Sequence, residues 1–173
     1  MRIESFAAVT LSARSAALAA LLRDAVEHGA SLGFTLPLTE PEVADYWRGV
    51  GAEIAAGRKI LLAALDEDNR VIGSAQLALE SRSNGRHRAE VQKVMVLAAQ
   101  RGRDLGTALM ARAEAEARTR GRTLLFLDTS AGASGAANFY ERLGYQLAGS
   151  IPDYAANPDG RLVPNVIFYK RLA

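Results

Sequence analysis

The fold is decided by one stretch of the chain, Val94-Met95-Val96-Leu97-Ala98-Ala99-Gln100-Arg101-Gly102-Arg103-Asp104-Leu105-Gly106-Thr107-Ala108-Leu109-Met110. Its first part is apolar and predicts a strand, and its last part has the apolar spacing of a helix that begins at Leu105. A short basic loop joins the two. The first N–H groups of such a helix have no partner within it, and the helix dipole adds about half a positive charge at the same point.

The joining loop has the composition of a phosphate site. Gly102 and Gly106 lack a Cβ and let a ligand approach the backbone, while Arg101 and Arg103 supply positive charge. Two better-known phosphate motifs are missing, since the chain has neither Gly-x-Gly-x-x-Gly nor Gly-Lys-Ser/Thr. An ordinary strand-to-helix turn with solvated arginines would have the same composition, so the loop alone leaves both interpretations open.

The elements on either side of this stretch predict an α/β fold. Helices are expected at 12–29, 39–56, 105–120 and 134–143, and strands at 3–9, 59–65, 71–80, 89–97, 123–129, 145–151 and 163–170. The second helix begins with a capping box, Thr39-Glu40-Pro41-Glu42. The order predicts a central mixed sheet with helices on both faces, and the strand–helix–strand unit from 89 to 129 should be parallel and right-handed.

Length and composition limit the class of protein. The 173 residues fit a single domain, 1–173, and 49% hydrophobic with 23% charged residues is typical of a globular protein with a core. A net charge of +2 does not indicate nucleic acid or membrane as a partner. With no cysteine and two histidines, no metal site is expected. No apolar run is long enough for a membrane span, so we expect a cytoplasmic protein. A homodimer is compatible with the sequence, but no feature of the sequence specifies one.

Two motifs in the second half carry a family resemblance. Arg101-Gly102-Arg103-Asp104-Leu105-Gly106 resembles the acetyl-CoA-binding motif, Arg/Gln-x-x-Gly-x-Gly/Ala, of the GNAT N-acetyltransferases, and Phe139-Tyr140-Glu141-Arg142-Leu143-Gly144-Tyr145 resembles a later helix–strand signature of that superfamily. The resemblance extends from about residue 88 to 170, and segments within it are most similar to the tabtoxin resistance acetyltransferase branch. It implies a GNAT-like central mixed β-sheet and an acetyl-CoA-dependent N-acetyltransferase.

The resemblance also implies which residues hold acetyl-CoA. The loop and the first helical turn would bind the diphosphate, and backbone N–H groups of the preceding strand would face the pantetheine arm and the thioester if that strand separates from its neighbour. The residues concerned are Val94, Met95, Val96, Arg101, Gly102, Arg103, Asp104, Leu105, Gly106 and Thr107.

Two positions depart from the family pattern. Asp104 stands where the family has a glycine. Its carboxylate either caps the following helix or turns outward so that its own N–H serves the phosphate, and repulsion between two anions favours the outward arrangement. Ala133 stands where many members have an asparagine, and we expect Ser134 to contact the pantetheine arm in its place.

Three residues could carry the chemistry of acetyl transfer. Glu90 matches the family's glutamate base and Asp128 ends the neighbouring strand, so that either could position the amine or accept its proton, directly or through water. The alternatives are that Glu90 pairs with Arg88 or Lys93 at the surface and that Asp128 caps a turn. Tyr140 matches the family's general acid, which assists departure of the CoA thiolate; the alternative is a core tyrosine.

The acceptor is expected to be a primary amine of a small molecule, bound by Glu90 and Asp128. Phe34 lies in an irregular segment and is the aromatic residue best suited to line the acceptor pocket. The branch resemblance suggests an amino-acid-like toxin such as tabtoxinine-β-lactam, whose acetylation would confer resistance; aminoglycosides, polyamines and a protein N-terminus stay open. The alternative function is a non-catalytic acyl-CoA-binding or sensor domain.

Overall fold

The computed structural model describes residues 1–131 and 135–172, and in this part of the chain seven strands form one mixed sheet in the order β1-β2-β3-β4-β5-β7-β6. The strands are β1 (Arg2–Phe6), β2 (Lys59–Leu65), β3 (Val71–Leu79), β4 (Arg88–Val96), β5 (Leu124–Ser130), β6 (Gln146–Ala156) and β7 (Leu162–Arg171). The pair β4–β5 is parallel, as the sequence predicts, and the other neighbouring pairs are antiparallel.

Helices cover both faces of this sheet, which confirms the predicted α/β class. They are α1 (Ala8–Ala13), α2 (Ser15–Glu27), α3 (Glu40–Ala55), α4 (Leu105–Thr119) and α5 (Ala136–Arg142). The capping box of α3 is confirmed: the Thr39 hydroxyl accepts from the Glu42 N–H, and the Glu42 carboxylate accepts from the Thr39 N–H at 3.0 Å. Within the described residues, none of these helices combines the length and apolar character needed to cross a membrane.

The first helix differs from its prediction. The strand expected to run to residue 9 ends at Phe6, and the helix expected from residue 12 begins at Ala8 and is divided at Arg14, where φ is −107°. A helical turn here lets Phe6 and Leu11 reach the same core while Val9 remains exposed, which a continued strand would not achieve. The last helix also begins later than expected, at Ala136.

Two cores lie on opposite faces of the sheet. Alternate residues of β2 enter different cores: Leu62 packs on the face that α4 and α5 cover, and Leu61 packs on the face that α1, α2 and α3 cover. The buried side of β2 toward α4 meets Leu109 and Met110, which are fully buried. From Ile60 to Leu65 both faces of this strand are therefore inaccessible to solvent, as the apolar sequence there indicates.

A β-bulge in β4 reverses the face of the sheet to which the following side chains point. Two of its residues, Lys93 and Val94, lie opposite the single residue Ala75 of β3. Lys93 takes a left-handed conformation, with φ +49°. As a result Val91 packs in the core beneath α4, whereas Met95 packs in the opposite core, which strict alternation along a strand would not allow.

Strands β4 and β5 separate soon after they begin. Their pairing covers three positions, from Arg88 opposite Leu124 to Glu90 opposite Phe126, although β4 continues to Val96. The other edge of β4 stays paired with β3 as far as Val96. The open edge from Glu90 to Val96 is about 20 Å long at the usual rise of a strand, and it provides the separation on which the predicted use of backbone N–H groups depends.

Candidate active site

The cradle loop, residues 100–107, connects the open edge of β4 to α4. Leu105 is the first residue of α4 and is buried, while residues 101–104 before it are exposed. Asp104 is the N-cap residue in a left-handed conformation, φ +56°, and its side chain makes no capping hydrogen bond. The N–H groups of the first turn are thus left for another partner, and the capping alternative for Asp104 is not what the structure contains.

The two glycines of the cradle loop serve different purposes. Gly102 has φ +74°, and a Cβ placed on it would meet nothing within 4 Å, so its backbone is open to a ligand. A Cβ on Gly106 would lie 3.2 Å from Cζ of Phe139. The prediction that Gly106 makes room for a ligand is therefore incomplete, because the space beside it is filled by an α5 side chain and the glycine allows that close packing.

The arginines of the cradle loop are available to an anion. Arg101 makes a long hydrogen bond from Nε to the Val96 carbonyl, 3.4 Å, and Arg103 donates to the side-chain oxygen of Gln100 at 3.2 Å. None of the ion pairs among residues 1–131 and 135–172 involves either of them. The segment just before the loop is anchored to α2, since the Ala98 N–H donates to the Asp24 carboxylate at 2.8 Å.

A cavity of about 1090 Å³ extends between β4 and β5 and joins the cradle loop to the acidic ends of these strands. Most of the residues singled out from the sequence line it: Glu90, Val94, Met95, Val96, Arg101, Gly102, Asp104, Leu105, Gly106, Thr107, Asp128 and Tyr140. Arg103 and Phe34 are not among its lining residues, and Ser134, with Ala133, lies outside the described residues.

Glu90 lines this cavity and is half-buried. Its carboxylate accepts from Nε2 of Gln92 at 2.8 Å. It does not pair with Arg88, which instead binds Glu80 at 2.9 Å, so the surface ion pair considered from the sequence is not formed. Burial raises the pKa of Glu90 above its usual value; the Gln92 hydrogen bond opposes this change, and the charge of Asp128 adds to it.

Asp128 and Tyr140 approach the cavity from β5 and α5. The Asp128 carboxylate accepts from Nδ2 of the buried Asn165 at 2.8 Å. Tyr140 is 9% exposed, and burial, with a smaller contribution from Asp128, raises its pKa to about 12. The same carboxylate therefore acts electrostatically on both Glu90 and Tyr140, which brings all three residues into one cluster.

Phe34 lies behind the cavity wall, where it packs against a residue that lines the cavity. Its ring packs edge-on against Tyr46, with ring centroids 5.3 Å apart, and Tyr46 lines the cavity. The predicted aromatic contribution to the pocket thus comes from the neighbour of Phe34. The Tyr46 hydroxyl accepts from Nε2 of Gln76 at 2.8 Å.

Sequence reasoning also missed several polar residues that line the cavity, namely Lys59, Gln92, Lys93, Asn138, Arg142 and Asn165. Arg142 belongs to the Phe139–Tyr145 motif, and its position in the last turn of α5 was a usable signal. No local sequence signal could have identified Lys93, because the direction of its side chain depends on the bulge in β4. Within the described residues, no group of three or more histidine and acidic side chains lies close enough together to hold a metal ion.

Comparison with known proteins agrees with this geometry. The model of the Acetyltransferase (GNAT) family matches residues 30–145. A ribosomal-protein-alanine N-acetyltransferase from Brucella melitensis has a TM-score of 0.79 and 24% identity, covering 99% of this chain and 100% of its own. The protein yncA of Salmonella typhimurium, whose structure contains its cofactor acetyl-CoA, has a TM-score of 0.80 and 21% identity, covering 100% and 94%.

A third structure, an aminoglycoside 6'-N-acetyltransferase complexed with coenzyme A, has a TM-score of 0.76 and 19% identity over 100% of this chain and 98% of its own. At these identities the structures show a shared fold. The family model carries the assignment further, since it matches more than half of the sequence and includes the cradle loop and the whole of α5. This chain belongs to the acetyltransferase (GNAT) family.

Proposed function

We propose that this protein transfers the acetyl group of acetyl-CoA to a primary amine of a small molecule. The observation that carries the proposal is that one cavity joins the cradle loop to the cluster of Glu90, Asp128 and Tyr140. Holding donor and acceptor side by side in such a cavity can lower the barrier by about 7–11 kcal/mol.

The cradle loop suits the diphosphate of acetyl-CoA. It offers uncapped N–H groups at the start of α4, an open backbone at Gly102 and the unpaired charges of Arg101 and Arg103. Backbone N–H groups between Val94 and Val96 would bind the pantetheine arm along the open edge of β4. Once bound there, acetyl-CoA supplies a thioester whose carbonyl carbon is attacked by the amine, with loss of the CoA thiolate.

Glu90 and Asp128 would receive the acceptor amine. An alkylammonium group must lose a proton before it can attack, which costs about 4–5 kcal/mol at pH 7. Burial raises the pKa of Glu90 and makes its carboxylate a stronger base, able to take that proton directly or through water. Asp128, fixed by Asn165, would orient the amine beside it.

Tyr140 would stabilise the departing sulfur. Because its pKa is about 12, the phenol stays protonated at neutral pH and remains a hydrogen-bond donor. Full proton transfer to a thiolate of pKa near 8.5 would be uphill by about 5 kcal/mol. Hydrogen bonding to the developing negative charge is therefore its larger contribution.

The motif resemblance to the tabtoxin resistance branch supports an amino-acid-like acceptor such as tabtoxinine-β-lactam, and hence a role in toxin resistance. The names of the structural neighbours widen the choice, since one is an aminoglycoside acetyltransferase and another a ribosomal-protein-alanine acetyltransferase. Amino acids, aminoglycosides, polyamines and short peptides are therefore the four acceptor classes to compare.

The direct test is release of free thiol from acetyl-CoA with each acceptor class, with the acetylated product identified by mass spectrometry. We expect turnover with at least one class of small primary amine. Tight binding of acetyl-CoA without turnover in any class would contradict the proposal and support a non-catalytic acyl-CoA-binding domain.

A charge-matched pair of variants tests the donor site. Arg101→Ser/Arg103→Ser should weaken acetyl-CoA binding, because it removes two cations from the cradle loop. Arg48→Ser/Arg70→Ser removes the same charge from exposed positions in α3 and the β2–β3 turn and should leave binding unchanged. Equal affinity in both double variants would exclude the cradle loop as the diphosphate site.

A further inference from the structure

Lys93 occupies an unusual place in the cavity. It is a bulge residue of β4 with φ +49°, a conformation that costs a non-glycine residue about 1–2 kcal/mol. Along the strand, the bulge lies between Glu90 and the cradle loop beyond Val96. Bulges re-aim side chains and are common beside active sites, so the conformation points to a task for the side chain it directs.

The Lys93 ammonium lies beside α3 and the segment that precedes it. Its Nζ is 6.0 Å from the centre of the Tyr46 ring and 3.7 Å from where a Cβ on Gly33 would be. Gly33 and Tyr46 both line the cavity, as Lys93 does. Across the described residues, no hydrogen bond or ion pair uses this ammonium, although it is half-buried.

Lys59 provides a contrast within the same cavity. Its ammonium donates to Oε1 of Gln92 at 2.7 Å and to Oε1 of Gln76 at 3.2 Å. Two amide oxygens therefore replace much of the water that Lys59 loses on burial. Among the described residues Lys93 has no such oxygen partner: its ammonium lies over the Tyr46 ring at the wall of the cavity, and its three N–H donors make no hydrogen bond there.

The charges around Lys93 favour an anion as the missing partner. Glu90 and Asp128 both act on it and raise its pKa, while loss of solvation, the larger effect, lowers the pKa. With Lys59, two lysines and these two carboxylates line the same cavity. If the two carboxylates bind the acceptor amine, the unpaired cation is left to bind a group of opposite charge.

We propose that Lys93 binds an anionic group of the acceptor, so that the preferred acceptor is a zwitterion that presents its amine to Glu90 and Asp128 and a carboxylate or similar anion to Lys93. This inference rests on the function proposed above and specifies the substrate class. It makes Lys93 a specificity-determining residue that takes no part in proton transfer.

The test compares amino acids with their decarboxylated amines, for example phenylalanine with phenethylamine and lysine with cadaverine. We expect the wild-type protein to prefer the carboxylate-bearing member of each pair. Lys93→Met should raise KM for that member by about 10- to 100-fold, since a hydrogen bond to a charged group is lost. It should leave KM for acetyl-CoA unchanged and remove the preference, and Lys93→Arg should restore part of it.

Arg48→Met is the matched control, because it removes one positive charge from the exposed face of α3. Equal use of both members by the wild type, equal losses on both in Lys93→Met, or a raised KM for acetyl-CoA in that variant would overturn the proposal. Acetylation would continue in each of these cases, and the proposed function would stand.

If no member of the pairs is acetylated, the melting temperature with acetyl-CoA and each acceptor decides the question. A rise caused by amino acids in the wild type, absent in Lys93→Met, would support the anion site although these compounds are not acetylated. No rise in either protein would overturn the anion site, and the thiol-release test with aminoglycosides, polyamines and short peptides would then decide the proposed function separately.

Discussion

The two edges of β4 differ, although they belong to the same nine-residue strand. The edge toward β3 is paired along its length and is interrupted by one bulge, whereas the edge toward β5 is paired at three positions and then open. Backbone groups on the first edge are satisfied by the sheet, and those on the second remain for a ligand. One strand can therefore contribute both to the stability of the sheet and to the binding of a ligand. Substitutions near the paired edge should change stability, and substitutions near the open edge should change activity.

The largest effect is expected at the acidic end of the open edge. Glu90→Gln keeps the shape of the side chain but removes the base, so kcat should fall by about 100- to 1000-fold, with KM for acetyl-CoA unchanged. Some activity should survive, because bringing the substrates together lowers the barrier without a base. Glu141→Gln, on the exposed side of α5, is the control. Unchanged kcat in Glu90→Gln would exclude Glu90 as the base.

The pH profile sharpens this prediction. Glu90 acts when ionised, so activity should fall as the pH drops through its pKa, and burial places that pKa above the usual glutamate value of about 4.3. Lys93 is one of the cations that lower the pKa of Glu90. The acidic limb of kcat/KM should therefore move to higher pH in Lys93→Met, and a shift to lower pH would contradict the electrostatic picture.

The next effect concerns Tyr140. Tyr140→Phe removes a hydrogen bond to the developing thiolate and should lower kcat by about 10- to 100-fold, with little change in KM for acetyl-CoA. Tyr169→Phe serves as the control, since the Tyr169 hydroxyl bonds to Gln146 outside the cavity. If both variants keep wild-type kcat, Tyr140 has a packing role alone.

On the paired edge, stability should change instead of rate. A Cβ on Gly73 of β3 would lie 2.9 Å from the carbonyl oxygen of Met95. Gly73→Ala should therefore destabilise the protein by about 1–3 kcal/mol, measured by urea unfolding. Gly49→Ala, in α3 where a Cβ would meet nothing within 4 Å, should be neutral or stabilising. Equal stability in the two variants would show that the sheet accommodates the methyl group.

The smallest effect is expected in the cradle loop. Asp104→Gly removes the strain of a left-handed backbone conformation in a residue with a Cβ, so the free energy of unfolding should rise by about 1 kcal/mol. It also removes a negative charge near the proposed diphosphate site, so acetyl-CoA should bind more tightly. Asp153→Gly relieves a similar conformation on β6, with φ +51°, away from the cradle loop. It should share the gain in stability but not the gain in affinity, measured by calorimetry. Weaker acetyl-CoA binding to Asp104→Gly would contradict the expected repulsion.

Local signals in the sequence were sufficient for the number and order of the strands and for the cradle loop, although β1 ends at Phe6 where residue 9 was expected and β6 continues to Ala156 where residue 151 was expected. The strand at 59–65 was predicted at its observed limits because its apolar run is unbroken, and the capping box located the start of α3 to the residue. The bulge at Lys93 and the position at which β4 leaves β5 depend on pairing between distant strands. Local composition does not encode such pairing, so the sequence offered Lys93 only as one of two possible surface partners of Glu90, and its place in the cavity was missed.

Gly106 and Phe139 pack closely where the proposed donor site meets the proposed catalytic cluster. Gly106 lies in the first turn of α4, where the donor's diphosphate would be held, and Tyr140 follows Phe139 directly in α5. A larger residue at position 106 would therefore push the start of α4 away from α5. If acetyl-CoA binds as proposed, such a substitution should disturb donor binding and the position of the phenol together.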